Sequence, residues 1–384
     1  MSAPQERRGL LLLEGELVPG CVRFADGRIS AVERLEEAPA RAPIVAPGLV
    51  DLHVHGYAGC EPQEDLAGLA RALARVGTTA FLPTLFPDDP ARLGRQAGEV
   101  WKRSRDLEAR GARVLGLHLE GPFVNPERAG GLPRDRLVAP SPAALKALLG
   151  PSSAADLGIR QVTLAPELAG SSDLVRELAR SGVRVSLGHS QATALEAGRA
   201  AELGARGATH LFNAMSGLHH RDETLASFAL SEDALVAELI GDLVHVGPAA
   251  VKLALRARGA RGIALVSDAL KGAGTGATSF ESHGRRCRIK DGAIWLEDSA
   301  PPRLTGAEAC QLEAVQRLVR AGVVDVATAL TMAAETPARA LGLEREHGRL
   351  AAGARADLLV LDPESLALAE VWLGGELLPL QARR

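Results

Sequence analysis

The stretch IVAPGLVDLHVHG (44–56), followed closely by EDLAGLARALARVG (64–77), reads as one βα unit. A nearly continuous apolar run of strand length marks a strand buried on both faces. Apolar residues returning every three or four positions then mark an amphipathic helix. The alternation recurs along the chain. TAFLPTL (79–85) leads into PARLGRQAGEVWKRSRDLEARG (90–111), and RVLGLHLEG (113–121), IRQVTLAPE (159–167), RVSLGHS (184–190), ATHLFNAM (208–215), LVAELIGD (235–242) and IALVSDAL (263–270) follow. Helical patterns such as SDLVRELARSG (172–182), TALEAGRAAELG (193–204) and GPAAVKLALRARG (247–259) lie between several of them. About eight units over roughly 250 residues is the size of a (β/α)8 barrel. A doubly wound open sheet is the competing arrangement, but no GxGxxG phosphate loop opens any unit, which favours the barrel.

The chain ends have a different texture. Residues 10–45 read as short strands with turns such as ADGRIS (25–30), and GRLAAGARADLLVLDPESLALAEVWLGGELL (348–378) again alternates strands with glycine-containing turns. The expected organisation is a small β-sandwich domain from 1–46 plus 348–384, paired from both ends, around a barrel at 47–347. SHGRRCRIKDGAIWLED (282–298) reads as a hairpin turning at Asp291-Gly292.

With one Tyr, three Trp and seven Phe in 384 residues, the core has to be built from Leu, Val and Ala. The net charge of −3 is well mixed in sign and points to neither nucleic acid nor a membrane surface as partner. RRGLLLLEGEL (7–17) has too short an apolar run for a signal peptide, and no run reaches transmembrane length. Four cysteines without CxxC spacing read as reduced thiols, so a soluble cytoplasmic protein is expected.

The chemistry sits at the strand ends. His53 and His55, Glu120 in GLHLEGPF, His189 in SLGHS, His210 in GATHLFNAM and Asp268 in LVSDAL each close an apolar run. Barrel enzymes carry their sites on that rim. Residues two apart on a strand face the same side, so His53 and His55 are expected to point into the barrel mouth together. Any one of these histidines alone would read as a hydrogen-bonded core residue. Together, imidazoles and carboxylates converging on one rim form a ligand set for zinc or a similar divalent ion. With such an ion the chemistry narrows to activation of a water, and Asp268 suits the general base and acid. His118, two residues before Glu120, reads equally as support for the site or as core packing. Cys60 reads as a bystander.

The constellation resembles the amidohydrolase superfamily. PGLVDLHVHG (47–56), GTTAFLPTL (77–85), GLHLEGPFVNPERAGG (116–131), LAPE (164–167), LGHSQAT (187–193), GATHLFNAMSGLHHRD (207–222), LVSDA (265–269) and the closing TPARALGL…GRLAAGARADLLVLD are similar, in order, to its N-acetylglucosamine-6-phosphate deacetylase family. The resemblance implies a (β/α)8 barrel with a β domain from both ends. It implies hydrolysis of the acetamide of N-acetylglucosamine 6-phosphate, with N-acetylgalactosamine 6-phosphate, another N-acyl substrate or a non-catalytic sugar-phosphate-binding barrel as alternatives. It assigns Glu120, His189 and His210 to metal binding, Asp268 to general base and acid, and His245 to a substrate contact. The residues alone would make His245 a packing histidine. By the same resemblance, backbone N–H groups of Asn213 and Ala214 face the sugar phosphate, and Arg221 grips that phosphate across a homodimer interface.

Many amidohydrolases bridge two metals with a carbamylated lysine, but none of the five lysines here lies at a matching strand end, and Glu120 takes that place. Because both His53 and His55 are present, one or two ions per subunit are expected, zinc first, with iron, cobalt or manganese as alternatives. Departures from the family's wording fall in YAGCEPQED (57–65), ALKGAGTGATSFESHG (269–284) and PPRLTGAEAC (301–310), loops expected to border the sugar.

Overall fold

The computed structural model describes residues 4–107, 111–297, 299 and 302–380. Its centre is a ring of parallel strands: β1 (Leu49–Val54), β2 (Thr78–Leu85), β3 (Leu117–Glu120), β4 (Ile159–Leu164), β5 (Arg184–Leu187), β6 (Ala205–Ala208), β7 (Val236–Ile240) and β8 (Ile263–Val266). Every residue of β1 and β2 is buried, because helices cover the outside while side chains fill the inside. Helices follow the strands, from α1 (Pro62–Arg75) and α2 (Pro90–Ser104) round to α8 (Gln311–Arg320). Their starts are chemically marked. Asp89 caps α2 by accepting from the N–H of Arg92, with Pro90 in the first turn. Thr193 and Glu196 form a reciprocal capping box on the helix Ala194–Glu202.

The ring closes through backbone just beyond β1 and β8. Val54 bridges Ala269, the N–H of Asp268 donates to the carbonyl of His53 at 2.8 Å, and the N–H of His55 donates to that of Ala269 at 2.9 Å. Beneath this seam the buried carboxylate of Asp51 accepts from the N–H groups of His53 and Ser267, both at 3.2 Å. Burial pushes the Asp51 pKa up to about 6.

Both chain ends meet in one seven-stranded sheet, in the order Glu376–Leu377, Leu368–Leu373, Leu358–Leu361, Ile44–Pro47, Gln5–Leu13, Glu16–Ala25, Arg28–Arg34. All neighbours are antiparallel except Ile44–Pro47 beside Gln5–Leu13. The chain passes from this sheet into the barrel at Gly48, where a Cβ would lie 2.0 Å from Oγ1 of Thr79. Only glycine fits that crossing.

The hairpin at 282–298 is present in its described part. Arg285–Lys290 pairs with Ala293–Leu296, and the Asp291-Gly292 turn has φ 53° and 79°. Positive φ at both central residues is the two-residue turn that suits the twist of a hairpin. The sequence did not announce its setting: Ser279–Ser282 and Arg303–Ala307 flank it to make a four-stranded sheet inserted after β8. Ala307 bridges back to Ala269, tying the insert to the closure of the barrel. No helix among the described residues is long and apolar enough to cross a membrane.

Candidate active site

Strand ends bring His53, His55, Glu120, His189, His210 and Asp268 into one buried cluster. Glu120 is its hub. Oε1 lies 2.9 Å from Nε2 of His189, 3.0 Å from Nε2 of His210 and 3.4 Å from Nε2 of His53, while Oε2 lies 3.1 Å from Nε2 of His55. Nε2 of His189 and of His210 are 3.1 Å apart, and those of His53 and His55 3.2 Å. Asp268 adds Oδ1 at 3.4 Å from His53 and 3.6 Å from His55. The backbone reaches these places through left-handed turns just past the strands, with φ 47° at His189, 31° at His210 and 50° at Asp268. Strain of this kind is tolerated where surrounding structure enforces it, as at functional sites.

The donors fit a divalent cation. They fall into two groups sharing Glu120, one with His53 and His55 and the other with His189 and His210. Imidazole nitrogens about 3.1 Å apart beside a carboxylate oxygen match the edge of a coordination polyhedron whose metal–nitrogen bonds are ~2.0–2.1 Å. Hydrogen bonding alone cannot satisfy so many lone pairs at once. Burial opposes charge on Glu120, yet His53, His189 and His210 outweigh it and hold its pKa well below the carboxylate range.

Beneath the donors lies a polar floor. Thr209 donates to Oγ of Ser186 at 2.7 Å, so Thr163 donates to Thr209 at 2.8 Å, and Nε2–H of His118 donates to Thr163 at 2.8 Å. Burial and the neighbouring charge of His53 push the His118 pKa well below normal, so it is a neutral link in a hydroxyl chain. The ring of His118 meets that of His53 edge-on, centroids 4.5 Å apart.

The second part of the floor is the one that sequence reasoning missed. Glu238, Arg184 and Gln161 are buried beneath His53, with Nδ1 of His53 at 3.3 Å from Oε2 of Glu238. The available signal was a carboxylate, a guanidinium and an amide inside otherwise apolar strands. Glu167, in LAPE, was also passed over. It accepts from Asn125 Nδ2, Ser190 Oγ and the N–H of Gln191, binding the loops on either side of His189.

Above the donors a cavity of about 160 Å³ is lined by Glu120, His189, His210, Asp268, His245, Asn213 and Ala214, with Phe86, Gly130, Gly131, Leu132 and the insert residues Leu304 and Thr305. Phe86 stacks on the His55 ring, centroids 4.0 Å apart and planes at 17°. Nδ1 of His245 is 2.6 Å from Oδ2 of Asp242. Burial opposes its charge, but the Asp242 hydrogen bond and carboxylate win and raise the His245 pKa. His245 thus lines the cavity with its ring held by Asp242. The N–H of Asn213 turns inward to the carbonyl of His210 at 2.9 Å, so of the two N–H groups expected at a phosphate this one is already engaged within the turn. Arg221 is not brought into the cavity of its own chain. It lies on an exposed loop and donates to Nε2 of His220 at 2.8 Å. Cys60 is 3.8 Å from Oδ2 of Asp65, and none of the four cysteines forms a disulfide among the described residues.

Comparison with known proteins agrees with this geometry. Residues 44–378 match the amidohydrolase family. The chain is 34% identical over 376 residues to the N-acetylgalactosamine-6-phosphate deacetylase of Escherichia coli O157:H7, covering 96% of this chain and 97% of that one. It is 35% identical over 393 residues to the human N-acetylglucosamine-6-phosphate deacetylase, covering 97% and 93%. Among solved structures, a mutant N-acetyl-D-glucosamine-6-phosphate deacetylase from Mycobacterium smegmatis, in complex with N-acetyl-D-glucosamine-6-phosphate, superposes with a TM-score of 0.88 at 29% identity, over 98% of this chain and all of that one.

Proposed function

The chain belongs to the amidohydrolase family, a family of metal-dependent hydrolytic enzymes, and on that footing we propose that it converts N-acetylglucosamine 6-phosphate and water to glucosamine 6-phosphate and acetate. The observation that carries this reading is the meeting of His53, His55, Glu120, His189, His210 and Asp268 in one cluster, of which Glu120, His189, His210 and Asp268 line one small cavity. Glu120, His189 and His210 would hold one ion, and His53 and His55 with the second Glu120 oxygen another, so that Glu120 bridges a two-metal-capable site. Zinc is the ion we assign first, since mixed imidazole and carboxylate donors suit it.

A divalent ion in such a site lowers the pKa of a coordinated water toward ~7 and polarises a carbonyl oxygen. Asp268 accepts the water's proton as the new C–O bond forms at the acetyl carbon. It then returns that proton to the sugar nitrogen as the C–N bond breaks. His245, protonated against Asp242, donates from Nε2 to the substrate's carbonyl oxygen. We place the turn at Asn213 and Ala214 against the sugar phosphate, as the family resemblance implies. Four cysteines without a disulfide among the described residues suit a reducing compartment, and we place the enzyme in the cytoplasm.

Acetate release from the two hexosamine phosphates tests the reading. We expect turnover of N-acetylglucosamine 6-phosphate to exceed that of its galactosamine epimer, to stop with chelator and to return with zinc. The E. coli relative favours the epimer as second reading, and the reverse preference would establish it. No acetate from either substrate, with metal bound, would leave a sugar-phosphate-binding barrel.

Arg221 extends the proposal to a homodimer, in which it completes the neighbouring site with a guanidinium fitted to phosphate oxygens. Arg221→Ala is expected to raise KM about 10- to 100-fold, the worth of one charged hydrogen-bonded pair, with kcat little changed. Unphosphorylated N-acetylglucosamine should be indifferent to the substitution. An unchanged KM for the phosphorylated sugar would remove Arg221 from the site.

A further inference from the structure

His53 is held from below by a charged strut, and we propose that Glu238 is a positioning residue that commits His53 to offer its Nε2 lone pair, enabling the His53/His55 half of the site to bind an ion. The inference rests on the reading of His53 as a ligand.

The ring of His53 is completely buried and has two polar edges. Nε2 faces His55, Glu120 and Asp268; Nδ1 faces Oε2 of Glu238. A neutral imidazole carries one proton, so whichever group meets Nδ1 decides what Nε2 can do. Glu238 is fully buried, and burial works against its charge. Its other oxygen faces the guanidinium of Arg184 at 3.3 Å, a pairing that favours the ionised carboxylate. An ionised carboxylate only accepts, so the proton belongs on Nδ1 and the lone pair on Nε2.

The far side of Glu238 is equally determined. Oε1 accepts from Nε2 of Gln161 at 2.7 Å and from Nη1 of Arg184 at 3.3 Å. Arg184 also donates to Oε1 of Gln161 and to the carbonyl of Val236 at 3.1 Å. Arg184 starts on β5 and must cross β6 to reach β7. It passes over Gly207, where a Cβ would lie 2.7 Å from its Cζ. A buried ion pair is poor evidence for stability, because desolvation cancels most of its attraction. Its placement against one imidazole nitrogen points to orientation instead. The other half of the site has a parallel device: Nδ1 of His189 meets the carbonyl of Arg128 at 2.8 Å. Nδ1 of His55 and His210 have no such partner. Each proposed metal position therefore contains one histidine anchored from behind.

Glu238→Gln separates orientation from bulk. The donors of Gln161 and Arg184 would draw the new amide's oxygen toward themselves and leave its NH2 facing Nδ1 of His53. That pairing moves the proton to Nε2 and removes the lone pair from the site. Wild type, Glu238→Gln and His53→Ala/His55→Ala would be stripped with chelator, reloaded with zinc, desalted and assayed for zinc per subunit, with circular dichroism melts to verify folding. We expect two zinc ions in wild type and one in each variant. Two ions in folded Glu238→Gln would overturn the proposal while leaving His53 a ligand. One ion in both wild type and the double variant would overturn the ligand reading as well. Should Glu238→Gln not fold, histidine 15N NMR of the zinc-loaded wild type decides. A slowly exchanging Nδ1 proton, missing in His53→Ala, is expected; an Nδ1 without a proton would sink the idea.

Discussion

Asp268→Asn is expected to lower kcat for acetate release by about 10²- to 10⁴-fold, the usual share of a general acid–base group, while zinc content and substrate binding stay near wild type. The choice of asparagine follows from the backbone. Asp268 sits at φ 50°, in the left-handed region that asparagine tolerates better than alanine. Its N–H and carbonyl hold the barrel seam through His53 and Ala307, bonds the substitution leaves in place. What changes is Oδ1, 3.4 Å and 3.6 Å from the two histidines, which can no longer take a proton from water and return it to nitrogen. A kcat within threefold of wild type would deprive Asp268 of the proposed role.

Glu120→Ala should have a larger effect, because Glu120 alone touches both donor groups. Its oxygens are within 3.4 Å of four histidine nitrogens. Without it those imidazoles lose their common anion. We expect zinc to fall below one per subunit and acetate release to drop on the order of 10⁴-fold or more, since water activation and carbonyl polarisation disappear together. Metal analysis alongside acetate release checks both. Full zinc content with substantial turnover would show that the four histidines suffice and that Glu120 is not the bridge.

The sequence made the rim legible and the floor obscure, for a physical reason. His53, His55, Glu120, His189, His210 and Asp268 each follow an apolar run, and a barrel gathers strand ends whatever lies between them. Gln161, Arg184 and Glu238 sit inside strands, and their meaning depends on which strands are neighbours and on the gap at Gly207. No local pattern carries that information. The hairpin at Asp291-Gly292 was readable because its turn is local, whereas the outer strands of its sheet, Ser279–Ser282 and Arg303–Ala307, were not. His118 could be weighed only after its partners Thr84 and Thr163 were known, both supplied by neighbouring strands. Arg221 owed its reading to resemblance alone, and within a single chain it stays on the surface.

The closing seam has a consequence for how the protein comes into being. The bonds joining His53 and His55 to Asp268 and Ala269 connect parts of the chain far apart in sequence. During synthesis the first histidine pair emerges early, whereas its backbone partner emerges only after most of the barrel has been made. Non-local pairings of this kind bear a high loop-closure cost and form late. Asp268 and the first pair of histidines are therefore brought together by the same event that completes the ring. A nascent chain arrested before residue 268 lacks both the seam and one member of the proposed centre, so on that proposal the barrel begins to act only when its circle is whole.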